Sequence, residues 1–151
     1  MRPFIKAGTL FVLLAVSGGI ALAQFAKPED AIVYRKSVMQ VIKKHFGSMA
    51  AAVKGQAPFD QTAFTQDAQV VALMAKLSWE AFLVPGSAQG NTNLKEKALQ
   101  DTAGFMAAAK GFEEASRELA AAAASGNQGA IKKQFGATAQ TCGGCHKPYK
   151  K

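Results

Sequence analysis

Two cysteines and a histidine lie close together near the end of the sequence, in the order Cys142-Gly143-Gly144-Cys145-His146. The Cys-x-x-Cys-His spacing is the attachment signature of a c-type haem. Residues three apart share one face of a helix, so both thiols reach the two vinyl groups of one porphyrin and form thioether bonds. His146 follows directly and offers a ring nitrogen to the iron. We therefore expect one haem c per chain, attached through Cys142 and Cys145, with His146 as the axial ligand.

Three other uses of the cysteine pair fit the sequence less well. A thioredoxin-like pair lies beside a strand in a βαβ context, which this sequence lacks. A zinc site needs a fourth ligand, whereas the only other histidine is His45 and there is no third cysteine. A plain disulfide needs no histidine after it. We expect His45 to be a surface residue with no part in the site.

The N-terminus has the three parts of a secretory signal. The basic residues Arg2 and Lys6 precede an uncharged run over 7–23, which ends in Ala-Leu-Ala. This pattern predicts a signal peptide over 1–23 and a mature domain over 24–151. The alternative is a permanent membrane anchor, for which the run is short. Export points to the periplasm, with no membrane attachment once the signal is removed.

Composition favours a single helical domain. The chain has 151 residues, of which 49% are hydrophobic, and only five prolines. Its formal charge is +8, and removal of Arg2 and Lys6 with the signal leaves sixteen basic and ten acidic residues, a net charge of +6. Basic charge alone does not indicate nucleic-acid binding in an exported haem protein.

Apolar residues recur three or four positions apart along most of the mature chain, and no segment alternates with period two. The pattern predicts four helices, over 28–55, 60–82, 94–124 and 128–151. The short connections favour an all-α, antiparallel up-down-up-down four-helix bundle with covalently attached haem. The alternative is an irregular helical array, which the short turns disfavour.

Several segments resemble the class II c-type cytochromes, and most closely the cytochromes c′. The resemblance covers nearly the whole mature chain and ends in the Cys142–His146 motif. Its other segments are QFAKPEDA at 24–31, YRKS at 34–37, VKGQAPFD at 53–60 and LSWEAF at 77–82. It implies a bundle with one covalent haem and a homodimer in which the first helices pack. It also implies high-spin, five-coordinate iron that binds nitric oxide and carbon monoxide.

The resemblance also implies roles for residues around the haem. Arg35 matches the arginine that pairs with a haem propionate, and a planar guanidinium suits a carboxylate. Lys36 either touches the same edge or is a plain surface lysine. Trp79 and Phe82 match aromatic residues that wall the pocket, and Thr92 is expected at the haem edge.

Met39 lies four residues after Arg35, one turn further along the same helix face. If Arg35 pairs with the propionate, as the resemblance implies, Met39 falls over the iron. Its thioether either ligates the iron or only packs there. In low-spin relatives the ligating methionine lies about one turn further on, where this chain has Ile42. We therefore expect Met39 to be unligated. Lys150 and Pro148 depart from the family pattern around His146.

Two main functions follow, and neither is enzymatic. The first is binding of nitric oxide or carbon monoxide, because no histidine, tyrosine or arginine is evident over the iron to support bound dioxygen. The second is electron transfer to an acidic redox partner, including the alternative of six-coordinate iron held by His146 and Met39. A basic patch for that partner is expected from Lys132, Lys133, Lys147, Lys150 and Lys151. A peroxidase would need distal acid–base residues, and none is evident.

Overall fold

The computed structural model describes residues 25–151, so the predicted signal peptide and its cleavage site lie outside the described residues. Four long helices form the four-helix bundle that the sequence predicts. Between 25 and 151 the only β-type pairing is a single bridge between Leu94 and Lys150. The helices are α1 (Pro28–Val53), α2 (Gln61–Met74), α3 (Lys97–Gln100), α4 (Thr102–Ser125) and α5 (Gln128–Tyr149), with a 3-10 turn at Glu80–Phe82.

One hydrophobic core runs between the helices. Met49 of α1, Val71 of α2, Phe105 and Leu119 of α4 and Ile131 of α5 are almost fully buried. Within one helix the buried residues recur three or four positions apart, as Phe64, Ala68 and Val71 do on α2, so each long helix turns one apolar face inward. No helix among the described residues has the length and apolar character needed to cross a membrane.

Short polar side chains begin the long helices after the first. Asp60 accepts a hydrogen bond from the backbone N–H of Ala63 at 2.7 Å at the start of α2. Asn127 accepts one from Ala130 at 2.9 Å at the start of α5. Between α4 and α5, Gly126 has a φ of 70°, a left-handed conformation that glycine adopts without strain. These signals explain why the sequence predicts these boundaries well.

The predicted second helix is too long. The sequence predicts a helix that continues to Phe82, but α2 ends at Met74. The chain then changes direction before the 3-10 turn at Glu80–Phe82. The Tyr34 hydroxyl donates to the carbonyl oxygen of Leu77 across the bundle. This turn keeps Trp79 buried in the core. A contact with α1 therefore replaces the last helical turns that the local pattern favours.

The predicted third helix, 94–124, is interrupted. Asp101 leaves helical geometry (φ −117°, ψ 59°) and separates α3 from α4. Its side chain accepts from the N–H of Gly104 at 3.0 Å, so Asp101 is the N-cap of α4. Leu94, predicted to be helical, is extended because it pairs with Lys150.

His45 is not the plain surface residue that the sequence suggests. Its Nδ1 lies 2.6 Å from Oδ1 of Asp67, which joins α1 to α2. Both side chains are largely buried, with 20% and 17% exposed. The prediction failed because the partner comes from a different helix, which the spacing from Met39 does not reveal.

Among the long helices, the close pairs are α1 with α2, α2 with α4, and α4 with α5. Helices α1 and α5 are not closely packed, and side chains bridge the space between them. Phe46 of α1 stacks on Phe135 of α5, with ring centroids 4.5 Å apart. This aromatic pair therefore joins α1 to α5, the helix that carries Cys142 and Cys145.

We expect Leu119→Ala to lower the free energy of unfolding by about 3 kcal/mol, because it leaves a cavity at a fully buried position. The matched control is Leu73→Ala, at a side chain that is 63% exposed on α2, where the change should be below about 0.5 kcal/mol. Urea unfolding followed by circular dichroism measures both. Equal losses in the two variants would contradict the core assignment.

Candidate haem-binding site

The attachment motif lies in the last two turns of α5. Cys142 and Cys145 are half-buried and pack against the hydrophobic core. Neither thiol is in a disulfide. A Cβ added at Gly143 or Gly144 would meet no other atom within 4 Å, so the backbone between the thiols has open space beside it. A planar macrocycle can therefore approach this part of the helix.

Burial raises the pKa of both thiols, Cys142 and Cys145. A reactive redox pair needs the opposite, because its nucleophilic cysteine has a lowered pKa. The surroundings of this pair thus disfavour thioredoxin-like chemistry. Among the described residues, no three histidine, cysteine or acidic side chains cluster as a metal-ion site.

His146 is exposed at the end of α5, directly after the second thiol. Partial desolvation lowers its pKa, and the charge of Lys150 lowers it further. A lowered pKa favours the neutral imidazole, which keeps a lone pair for a metal. Pro148 does not end the helix early, since α5 continues to Tyr149.

The apolar residues predicted for the site share one environment. Trp79 belongs to the buried core, and Met39 and Phe82 pack against it, as do both thiols. The rings of Trp79 and Phe82 lie 5.9 Å apart. Met39 comes from α1 and the thiols from α5, so both helices contribute side chains that pack against this core. The tertiary fold therefore gathers side chains that lie up to about 100 positions apart in the sequence.

Arg35 is buried, with 2% exposed, and its guanidinium is fully engaged at both terminal nitrogens. Nη1 donates to the carbonyl oxygen of Ala81 at 2.8 Å and to Oγ of Ser87 at 2.9 Å. Nη2 donates to the carbonyl oxygen of Ser87 at 2.5 Å and to Oγ1 of Thr92 at 2.8 Å. Burial lowers its pKa to about 10, so the side chain is still charged at pH 7.

The other two polar residues predicted for the site lie beside Arg35. Thr92 accepts from Arg35 and from the backbone N–H of Leu94. Lys36 is exposed, and its amino group lies 3.3 Å from the carbonyl oxygen of Asn91. The guanidinium carbon of Arg35 is 5.0 Å from the centre of the Phe82 ring. This cation–π contact links the hydrogen-bonded cluster of Arg35 and Thr92 to the apolar residues around Phe82.

Comparison with known proteins identifies the family to which this chain belongs. The sequence profile of the cytochrome c′ family matches residues 30–150. The chain belongs to the cytochrome c′ family. Cytochrome c′ from Rubrivivax gelatinosus is 41% identical over 128 residues, which cover 84% of this chain and 98% of the relative. Cytochrome c′ from Shewanella frigidimarina has a solved structure with a TM-score of 0.82 and 40% identity, covering 84% of this chain and 98% of that one.

Cytochrome c′ from Alcaligenes xylosoxidans has been solved with gases bound. A carbon monoxide-bound variant has a TM-score of 0.77 at 35% identity, covering 85% of this chain and 99% of that chain. A nitric oxide complex of another variant has a TM-score of 0.78 at 35% identity, covering 85% of this chain and 98% of that chain. These likenesses cover nearly all of the described residues and agree with the four-helix bundle.

The residues present fit the haem c of a cytochrome c′. The indole Nε1 of Trp79 is buried without a hydrogen-bond partner in the described structure, and so is Oγ of the neighbouring Ser78. Buried polar atoms are seldom left unpaired, so these two indicate an acceptor that the polypeptide itself does not supply. Two half-buried thiols, a neutral imidazole and unpaired donors beside an apolar cluster together suit a porphyrin with carboxylate side chains.

Several residues of this cytochrome c′ site were not predicted from the sequence. Ser87 supplies two of the four acceptors for Arg35, yet it lies in a polar loop without a distinctive motif. Asp101 receives the hydroxyl of Tyr149 at 2.8 Å. The Asp-Thr-Ala-Gly segment at 101–104 carries the signal of a helix start and, read as an N-cap, would have located Asp101.

We expect Arg35→Met to lower the free energy of unfolding by about 3 kcal/mol, because it leaves the buried acceptors of Ala81 and Ser87 without donors. The matched control is Lys36→Met, next in sequence but exposed, with a change of about 0.5 kcal/mol or less. Urea unfolding of the haem-loaded protein measures both. If the two variants lose equal stability, the Arg35 contacts do not hold the loop.

Proposed function

We propose that the mature chain is a periplasmic haem c protein that binds nitric oxide and carbon monoxide at five-coordinate, high-spin iron. Membership in the cytochrome c′ family and the gas complexes of the Alcaligenes relative support gas binding. The low-spin alternative with Met39 as a ligand is not favoured. One haem per chain would be held through Cys142 and Cys145, with His146 as the axial ligand. When bound, the haem supplies an iron atom that takes a diatomic ligand or changes its charge by one electron.

A single observation carries the preference for these gases. Three polar side chains of α1 on either side of Met39 have hydrogen-bond partners elsewhere: Tyr34 at Leu77, Arg35 in the 87–92 loop and His45 at Asp67. Bound dioxygen is strongly polar and needs a hydrogen-bond donor, whereas nitric oxide and carbon monoxide need less support. The apolar Met39 then limits entry by its size and swings aside to admit a ligand.

The remaining parts of the proposal concern the surroundings of the haem. The buried Arg35 and Trp79 offer N–H groups to the propionates, with Lys36 and Thr92 at the same edge. Arg35 retains its Nε–H for this purpose, since the four contacts described above use only Nη1 and Nη2. A homodimer would cover Val33 and Val41, which are 65% and 37% exposed on α1. We propose no enzymatic activity.

The decisive experiment is spectroscopy of the purified protein and of Met39→Ala. Mass spectrometry should show one covalent haem, and the ferrous protein should bind nitric oxide and carbon monoxide without forming a stable dioxygen complex.

Removal of the thioether side chain in Met39→Ala should speed carbon monoxide association about tenfold, because it lowers a steric barrier. Met106→Ala, at a methionine that is 40% exposed on α4, is the control and should leave the rate unchanged. A far-red methionine–iron band that disappears in Met39→Ala would contradict five-coordinate iron.

A second candidate function is electron transfer, and a cluster of lysines favours it. The amino group of Lys95 lies 3.2 Å from the carbonyl oxygen of Lys147, and that of Lys151 lies 3.3 Å from the carbonyl oxygen of Ala88. Lys97 lies over the ring of Tyr149. The amino groups of Lys95 and Lys151 contact neutral acceptors, so their positive charge remains available to an acidic redox partner.

The cluster differs from the basic patch predicted from the sequence. Lys95 and Lys97 join it from other segments, while Lys132 lies fifteen residues before Lys147 on α5, about 22 Å away along the helix. Lys132 and Lys133 therefore do not belong to the same surface. The positive charge thus lies near the end of α5 that carries Cys142, Cys145 and His146.

We expect oxidation of the ferrous protein by hexacyanoferrate(III), an anionic electron acceptor, to slow as ionic strength rises. Lys147→Gln should reduce the rate about threefold at low salt, because one attractive charge is lost near the haem. Lys132→Gln is the matched control and should have a smaller effect. Stopped-flow absorbance measures all three rates. Equal effects of the two variants would argue against a localised docking surface.

A further inference from the structure

The last turn of α5 contains a buried tyrosine that the proposed function does not use. Tyr149 follows His146 by three residues and is 5% exposed. Its ring packs edge-on against Phe105, with centroids 5.4 Å apart. Its hydroxyl donates to Oδ2 of Asp101 at 2.8 Å. The turn that carries the axial histidine is thereby bonded to the start of α4.

The two oxygens of the Asp101 carboxylate accept different hydrogen bonds. Oδ1 of Asp101 caps α4 through the N–H of Gly104, while Oδ2 is left for Tyr149. A Cβ at position 104 would lie 2.5 Å from Oδ2 of Asp101 and 2.6 Å from the Tyr149 hydroxyl oxygen. Glycine at this position therefore leaves room for the carboxylate and the hydroxyl to meet.

Backbone hydrogen bonds, within the turn and to the 93–95 segment, also hold the last turn of α5. The N–H of Lys150 donates to the carbonyl oxygen of His146 at 3.0 Å. The N–H of Lys95 donates to the carbonyl oxygen of Tyr149 at 2.9 Å, and that of Lys151 to Asn93 at 2.7 Å. The turn is thus fixed by the 93–95 segment on one side and by Asp101 on the other.

The imidazole of His146 has no hydrogen-bond partner of its own among the described residues, although axial histidines commonly use their second nitrogen for one. The orientation of the ring must then come from the helical turn beneath it. We propose that the Tyr149–Asp101 hydrogen bond positions His146 for ligation of the haem iron, which makes both of them positioning residues. This inference rests on the proposed function, since it takes His146 as the iron ligand.

Tyr149→Phe tests the inference, because it removes the hydroxyl and keeps the ring. Haem content is measured first by mass and by the pyridine haemochrome spectrum. A wild-type chain without haem would refute the proposed function and this inference with it. In the haem-loaded ferrous protein, the iron–histidine stretching frequency of Tyr149→Phe should shift from the wild-type value. The Lys150 amide should exchange its hydrogen about fivefold faster, because one hydrogen bond that restrains the turn is lost.

Two control variants separate positioning from stability. Tyr34→Phe removes another tyrosine hydroxyl bond, the one to Leu77, and Asp60→Asn alters another helix N-cap. Both should lower the melting temperature without shifting the iron–histidine frequency.

If Tyr149→Phe does not incorporate haem, Asp101→Asn is measured instead. This variant keeps a cap acceptor but removes the charge that strengthens the bond, so a smaller shift in the same direction is expected. An unchanged iron–histidine frequency in the variant that is measured, with only a lower melting temperature, would overturn the proposal.

Discussion

A guanidinium buried between α1 and an irregular loop must find hydrogen-bond acceptors, because an unpaired charge in a protein interior is very costly. Arg35 finds them at Ala81, Ser87 and Thr92, none of which lies in a long helix. The chain between α2 and α4 has little regular structure, and these contacts give it a defined path against α1. The buried charge thus orders a segment that local propensity leaves undetermined.

The ordered loop also reaches the far end of the chain. Leu94 follows Thr92 closely and pairs with Lys150, and Lys95 bonds to the carbonyl oxygen of Tyr149. A connected series of hydrogen bonds therefore runs from Arg35 on α1 to the turn of α5 that carries His146. One helix supplies Met39 and the other supplies the thiols, so this connection relates the two sides of the proposed haem site.

The hydrogen bonds made by the polar side chains of α1 also explain why the proposed haem site is largely apolar. Tyr34 and His45 are bonded to Leu77 and Asp67, which leaves an apolar environment around Met39. The uncompensated polar atoms lie instead at Trp79 and Ser78. Such a distribution suits a neutral diatomic ligand on the iron and charged propionates at the edge. The lysines at the end of α5 add a surface that suits an acidic partner.

The sequence alone predicted the attachment of haem c and the four long helices, because the Cys142–His146 spacing and the apolar periodicity are local properties of the chain. It also indicated the ends of α1 and α4, where glycines allow left-handed turns. Only the tertiary structure decided where α2 ends, why the predicted third helix breaks at Asp101, and that His45 is paired. Each of these depends on a partner distant in sequence: Leu77 meets Tyr34, Asp101 meets Tyr149 and His45 meets Asp67. Local patterns cannot encode such contacts, since their free energy arises only when the helices pack.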